Sequence, residues 1–199
     1  MKRSIVLFLS LIVTASVQAA PGETAVGSMA SEITRRLQGT FDNREQAGKP
    51  VAGGEQPVAR VTITIEPAPQ ADFALWRVHL QTDPQTSYDQ TWAMQARIEH
   101  DGSGALIPYY QLKQDAAPDA ATFDPQHGWL SLEACALRGD FSKAHIRGNA
   151  EGEPCVAVSM SVGARRALLP VGIDYAAGTL RLDLNLRGVR TRIEAKRVP

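Results

Sequence analysis

Apolar and polar positions change their period along this chain. Between Ser28 and Gln38, Met29, Ile33 and Leu37 recur every four residues, the spacing that gathers side chains on one face of a helix. Ser28 can cap its start and Gly39 can end it, so a helix is predicted over Ser28–Gln38, after a loose arm at Ala20–Gly27. From residue 58 the period falls to two. Val61, Ile63 and Ile65 alternate with threonines; Trp76, Val78 and Leu80 alternate with Arg77 and His79; Trp92, Met94, Ala96 and Ile98 alternate with Gln95 and Arg97. Leu106–Leu112 and Trp129–Ala134 are shorter runs. Val156, Val158, Met160 and Val162, then Leu180, Leu182, Leu184 and Leu186, alternate again, and Val189–Val198 carries Arg190, Arg192, Glu194 and Lys196 on one face.

Turn signals separate these runs: Asp101-Gly102, Asp124-Pro125, Gly139-Asp140, Gly148-Asn149, Ala177-Gly178 and Gly188. About eight short strands joined mostly by turns predict an antiparallel sandwich or barrel. A barrel removes the edges that such a sheet would otherwise expose. The expected fold is therefore all-β, a calyx-like antiparallel barrel with one N-terminal helix. Ala47–Gln56 and Asp115–Asp124 read as loops.

The start of the chain changes the picture of where it works. Lys2 and Arg3 precede a nearly unbroken apolar run, Ile5–Val13, and Val17 and Ala19 occupy the −3 and −1 positions of a cleavage site. Residues 1–19 are read as a signal peptide and 20–199 as one domain, periplasmic or secreted, with no membrane anchor after cleavage. Removing Lys2 and Arg3 from 21 basic and 21 acidic residues leaves a net charge of −2, with no basic excess for nucleic acid. In an exported chain the isolated pair Cys135 and Cys155 is most simply one disulfide. No CxxC or HxxxH is present, so no metal site is expected. No GxSxG, phosphate loop or HExxH occurs either, and no catalytic residue or cofactor is assigned.

The densest polar cluster is Asp42-Asn43-Arg44-Glu45-Gln46, placed where helix hands over to sheet. It reads either as a solvated turn, with Asp42 or Asn43 bonding its own backbone, or as a polar rim that orients a ligand at a barrel mouth. Arg97 faces away from Met94, Ala96 and Ile98, so it points either to solvent or, with Gln95, into a partly polar interior, where Glu45 would be its partner. Trp76, Tyr88, Trp92, Tyr109, Tyr110 and Trp129 serve either as core or as the wall of a pocket for a flat ligand. Adjacent strand residues face opposite ways, so at most one of Tyr109 and Tyr110 enters the interior.

The run Gly39-Thr40-Phe41-Asp42-Asn43-Arg44-Glu45-Gln46-Ala47 resembles the opening motif of the CpcT/CpeT family of bilin chromophore lyases, in which a helix leads into Gly-x-Phe-x-Asn-x-x-Gln. Trp76 and Gln81 resemble that family's aromatic strand. Cys135, Phe141, Gly148, Gly152 and Cys155 resemble its paired-cysteine segment, and Asp174 and Gly178 its late turn. The chain departs from the pattern at Leu80, before Gln81, and along Ala93–Arg97. The resemblance implies a calyx-like barrel, a tendency to form homodimers, and a bilin-like small molecule as partner. Arg44, Glu45, Gln46, Gln81, Gln95 and Arg97 would supply polar contacts, and Trp76 and Tyr110 the apolar wall. The leading reading is an exported binding barrel for a tetrapyrrole-like or other amphipathic molecule. The alternatives are a bilin lyase serving an acceptor cysteine on another protein, and a secreted interaction or inhibitor module without a small ligand.

Overall fold

The computed structural model describes residues 21–49, 58–83, 85–98, 103–112, 118–142, 144–152, 154–155, 169–186 and 189–199. The expected signal peptide, the strand expected at Val156–Val162, most of the Ala47–Gln56 loop and the turns at Asp101-Gly102 and Gly188 lie outside these residues. Helix α1 spans Pro21–Leu37. It runs through residues 21–27, where a loose arm was expected. One further helical turn, α2, covers Arg44–Ala47.

The described residues form eleven strands: β1 (Gly39–Asp42), β2 (Arg60–Pro67), β3 (Phe73–Asp83), β4 (Thr86–Ile98), β5 (Gly104–Gln111), β6 (Trp129–Ser131), β7 (Leu137–Phe141), β8 (Ile146–Asn149), β9 (Pro170–Ala176), β10 (Thr179–Leu186) and β11 (Val189–Val198). Every pairing among the described strands is antiparallel, strands consecutive in the chain pair with each other except β6 with β7, and β1 pairs with both β2 and β11. β6 and β7 lie along one edge of β5, β6 against Tyr109–Gln111 and β7 against Gly104–Leu106. They act as a single stave interrupted by the 3₁₀ turn Glu133–Cys135, so the sheet closes as a ten-stave antiparallel barrel.

The strand count exceeds the sequence expectation because the extra strands are short or carry glycine. Gly139-Asp140 and Gly148-Asn149 are not turns but lie within β7 and β8, where Gly139 pairs with Gly148. A Cβ on Gly139 would stand 2.2 Å from the Arg147 carbonyl oxygen, so the close approach of these two strands requires glycine. The Phe141 ring covers the neighbouring bare backbone, since a Cβ on Gly104 would meet it at 2.3 Å. Ala177-Gly178, by contrast, is the tight turn the sequence implied, with both residues at positive φ.

Alternation sorts the staves into an inner and an outer face. The inner face is filled by Phe41, Ile63, Trp76, Trp92, Met94, Leu106, Leu137, Tyr175, Leu182 and Ile193 among others. Ala30, Ile33 and Leu37 of α1 join the same cluster. The helix lies across one end of the barrel. It packs on β4, while Arg36 reaches the opposite wall, donating to the Ser142 carbonyl at 2.6 Å and standing over the Tyr175 ring. Arg197 locks it there, donating to the Arg36 and Gln38 carbonyls at 2.6 and 2.5 Å and to the Tyr175 hydroxyl at 3.0 Å. Outside the barrel, Phe73, Leu75 and Ala93 are covered by Phe123 and Trp129, which follow β5 in the chain.

Candidate functional site

Strand β1 is only four residues long, and it ends at Asp42 before its neighbours β2 and β11 do. The polar cluster continues the pairing with side chains. Asn43 Nδ2 donates to the Ala59 carbonyl at 2.9 Å, and its Oδ1 accepts from the Val61 amide at 2.7 Å. On the other side Gln46 Nε2 donates to the Arg192 carbonyl and Oε1 accepts from the Glu194 amide, both at 2.9 Å. Each primary amide thus presents one donor and one acceptor to a strand edge, as a backbone peptide would. The two are also joined, Asn43 Nδ2 to Gln46 Oε1 at 3.3 Å. Arg44 and Glu45 are exposed; Arg44 stands near Asp42, and Glu45 pairs with Lys196.

The remaining predicted site residues do not converge. Trp76 is buried on the inner face, and Tyr110 packs against the same core. Gln81 stands on the opposite side of β3 from Trp76 and pairs with Arg60 and Ser87. Gln95 lies under the outer cluster, donating to Asp72 at 2.9 Å and accepting from the Tyr109 hydroxyl at 3.0 Å. Arg97 also faces outward and pairs with Glu133, which Arg138 binds as well at 2.8 Å. The expected Arg97–Glu45 pair is not formed: Arg97 binds Glu133 while Glu45 binds Lys196, toward the other end of the barrel. Cys135 and Cys155 form the expected disulfide, consistent with an oxidising compartment.

At the end of the barrel away from α1, the inner face of β4–β6 leads outward. Tyr88, on the same side of β4 as Trp92, is 46% exposed; Leu130, paired with Tyr110, is 36% exposed; Leu112, just past β5, is 58% exposed. These are three of the five exposed large apolar side chains among the described residues. Further in, Trp92 is fully buried, yet its indole N–H has no partner. Leaving such a donor unpaired costs about 1–3 kcal/mol. The polar seam of Asn43 and Gln46 belongs to the same end, on the opposite wall.

The outer wall of β8–β11 carries a different arrangement. Register places Arg147, Asp174, Arg181 and Glu194 side by side as one alternating rung, and Asn149, Gly172, Asp183 and Arg192 as the next. Arg147 binds Asp174 at 3.1 Å and Arg181 binds Glu194 at 2.9 Å. Asp183 is only 5% exposed and is held by Arg190 at 2.5 Å and Arg192 at 2.8 Å. Hydrogen bonding from Arg192 leads the effects on Asp183 and, with Arg190, outweighs burial, holding its carboxyl below the ordinary value. Burial pushes Asp174 up, but His145 and Arg147 together bring it below its ordinary value. A cleft of about 240 Å³ opens over Gly172 between these groups. A second cleft, about 420 Å³, lies on the outer face of β2–β4 and holds an exposed His79–Asp89 pair at 2.8 Å.

No group of metal-ligating side chains occurs among the described residues. Comparison with family models, with curated proteins and with solved structures finds no match for this chain. The Asp183 site left a trace in the sequence, the glycine inside an otherwise regular strand. The exposed lip at Tyr88 and Leu130 left none, because alternation alone cannot show where a stave outruns the barrel.

Proposed function

We propose that this protein is an exported binding barrel of the CpcT/CpeT type, which takes an amphipathic, bilin-like molecule at the end away from α1. The observation that carries the reading is the apolar lip of Tyr88, Leu112 and Leu130, leading along the inner face to the unpartnered indole N–H of Trp92. Exposed apolar groups gathered on one inward face mark a binding surface more than scattered ones do. From Tyr88 to Trp92 the strand advances about 13 Å, the scale of an elongated ligand rather than a single ring. A ligand carbonyl or carboxylate would satisfy the indole donor. The disulfide supports export, and the resemblance at Gly39–Ala47 supports the family. In this reading Asn43 and Gln46 hold the barrel shut beside the ligand rather than touch it.

Titration of the full chain with biliverdin and with haemin tests this. Quenched tryptophan fluorescence and a shifted ligand absorption are expected. Tyr88→Ala and Leu130→Ser should each weaken binding by about tenfold, some 1.4 kcal/mol, without lowering Tm. No signal with either compound, or binding that ignores both substitutions, would remove the reading.

A further inference from the structure

We propose that the cleft over Gly172, on the outer wall and separate from the lip, binds a tetrahedral oxyanion, a phosphate or sulfate group, through Arg147, Arg181 and Arg192. Shape comes first. Gly172 lies mid-strand in β9, where a side chain would normally fill the outer face. An added Cβ would stand 2.9 Å from Asn149 Oδ1, 3.0 Å from Asp183 Oδ2 and 3.3 Å from Arg190 Nη2, so the bare backbone at Gly172 is what lets these groups settle as the floor of the cleft. Its 240 Å³ lies below the range of drug-sized pockets, roughly 300 Å³ upward, and suits one small charged group.

Charge comes second. Each carboxylate in or beside the cleft already accepts from an arginine: Asp174 from Arg147, with His145 bonded to it as well, Asp183 from Arg190 and Arg192, and Glu194 from Arg181. A guanidinium has five N–H donors, and these pairings use only part of them on Arg147, Arg181 and Arg192. What the cleft lining offers a ligand is therefore mainly donors, with three arginines set against two carboxylates that are already paired. A cationic ligand would have to displace an arginine to reach a carboxylate. Rigidity comes third. Asp183 is buried beneath Arg190 and Arg192 and fixes both before any ligand arrives, which reduces the ordering that binding must supply. Phosphate and sulfate share this chemistry, and each offers three guanidinium groups more acceptor oxygens than the two of a carboxylate.

The test titrates the full chain with inorganic phosphate, inorganic sulfate and acetate, with ionic strength held constant by sodium chloride, following amide chemical shifts of β8–β11. Saturable shifts with phosphate or sulfate, and none with acetate, are expected. Gly172→Ala should lower phosphate affinity by about tenfold or more. Arg147→Gln, at an exposed position that leaves Asp183 paired, should weaken it in the same direction while Tm stays unchanged. Leu130→Ser should leave phosphate binding intact, which separates this site from the lip. Shifts no larger than those in sodium chloride alone, acetate binding equal to phosphate, or affinity untouched by both substitutions would each overturn the proposal.

Discussion

The barrel closes at two places by different means, and the contrast shows how a sheet is sealed where regular pairing runs out. At the β1 stave the strand is too short, and two side-chain amides, Asn43 and Gln46, continue its ladder to β2 and β11. At the β6–β7 stave the strand is long but interrupted by three extra residues, and one of them, Cys135, is tied covalently to Cys155. A missing segment needs donors and acceptors, which amides provide. A bulge already has its backbone and needs to be held in place, which a cross-link provides. The first seam is a set of hydrogen bonds sensitive to single atoms. The second depends on redox state.

Three measurements break or sharpen this contrast. The largest effect is expected at the covalent seam: replacing both cysteines by alanine should lower unfolding stability by about 3 kcal/mol in urea, and dithiothreitol should do the same to the unmodified protein. A loss near zero would mean that the bulge is held by packing alone. Next, Asn43→Ala should cost about 2 kcal/mol and Gln46→Ala about 1 kcal/mol, because Asn43 is buried at 1% exposure and Gln46 is not. The double variant should lose less than the sum, since the two amides bond each other. Strict additivity would show that they act as separate caps. The smallest effect concerns pH. The folded-state pKa of Asp183 lies below its unfolded value of 3.8, so its contribution is complete above that value and is lost as pH falls through the lower folded one. Asp183→Asn should therefore flatten the fall in Tm below about pH 4, a range set by the unfolded carboxylate. An unchanged acid limb would place the pH sensitivity on other carboxylates.

The two walls of the barrel were legible to different degrees. The inner face was plain in the alternation of Val61, Ile63 and Ile65, of Trp76, Val78 and Leu80, and of Leu180, Leu182 and Leu184, and all of these are buried. Burial of one face demands a period of two, and that demand is local. The outer face was legible only strand by strand. Arg181 and Asp183 were visible beside Arg190 and Arg192, but their assembly with Arg147 and Asp174 depends on the register of four strands. The cluster Asp42–Gln46 was visible as a place of dense hydrogen bonding. Its role was not, because the backbone groups it serves, at Ala59, Val61, Arg192 and Glu194, lie far away in the chain.

Composition and periodicity by themselves determined an all-β chain with one substantial helix, a cysteine pair suited to a disulfide, and the inward set of apolar side chains. These follow from local rules: a repeat of two or of about four, and the residues that permit a turn. Tertiary structure alone decided that Gln95 and Arg97 face outward, that β1 is completed by amides, that Tyr88 and Leu130 stand uncovered, and that Gly172 leaves a dent among arginines. Each of these depends on which distant strand lies alongside and how far it extends, and closure of the ring sets both.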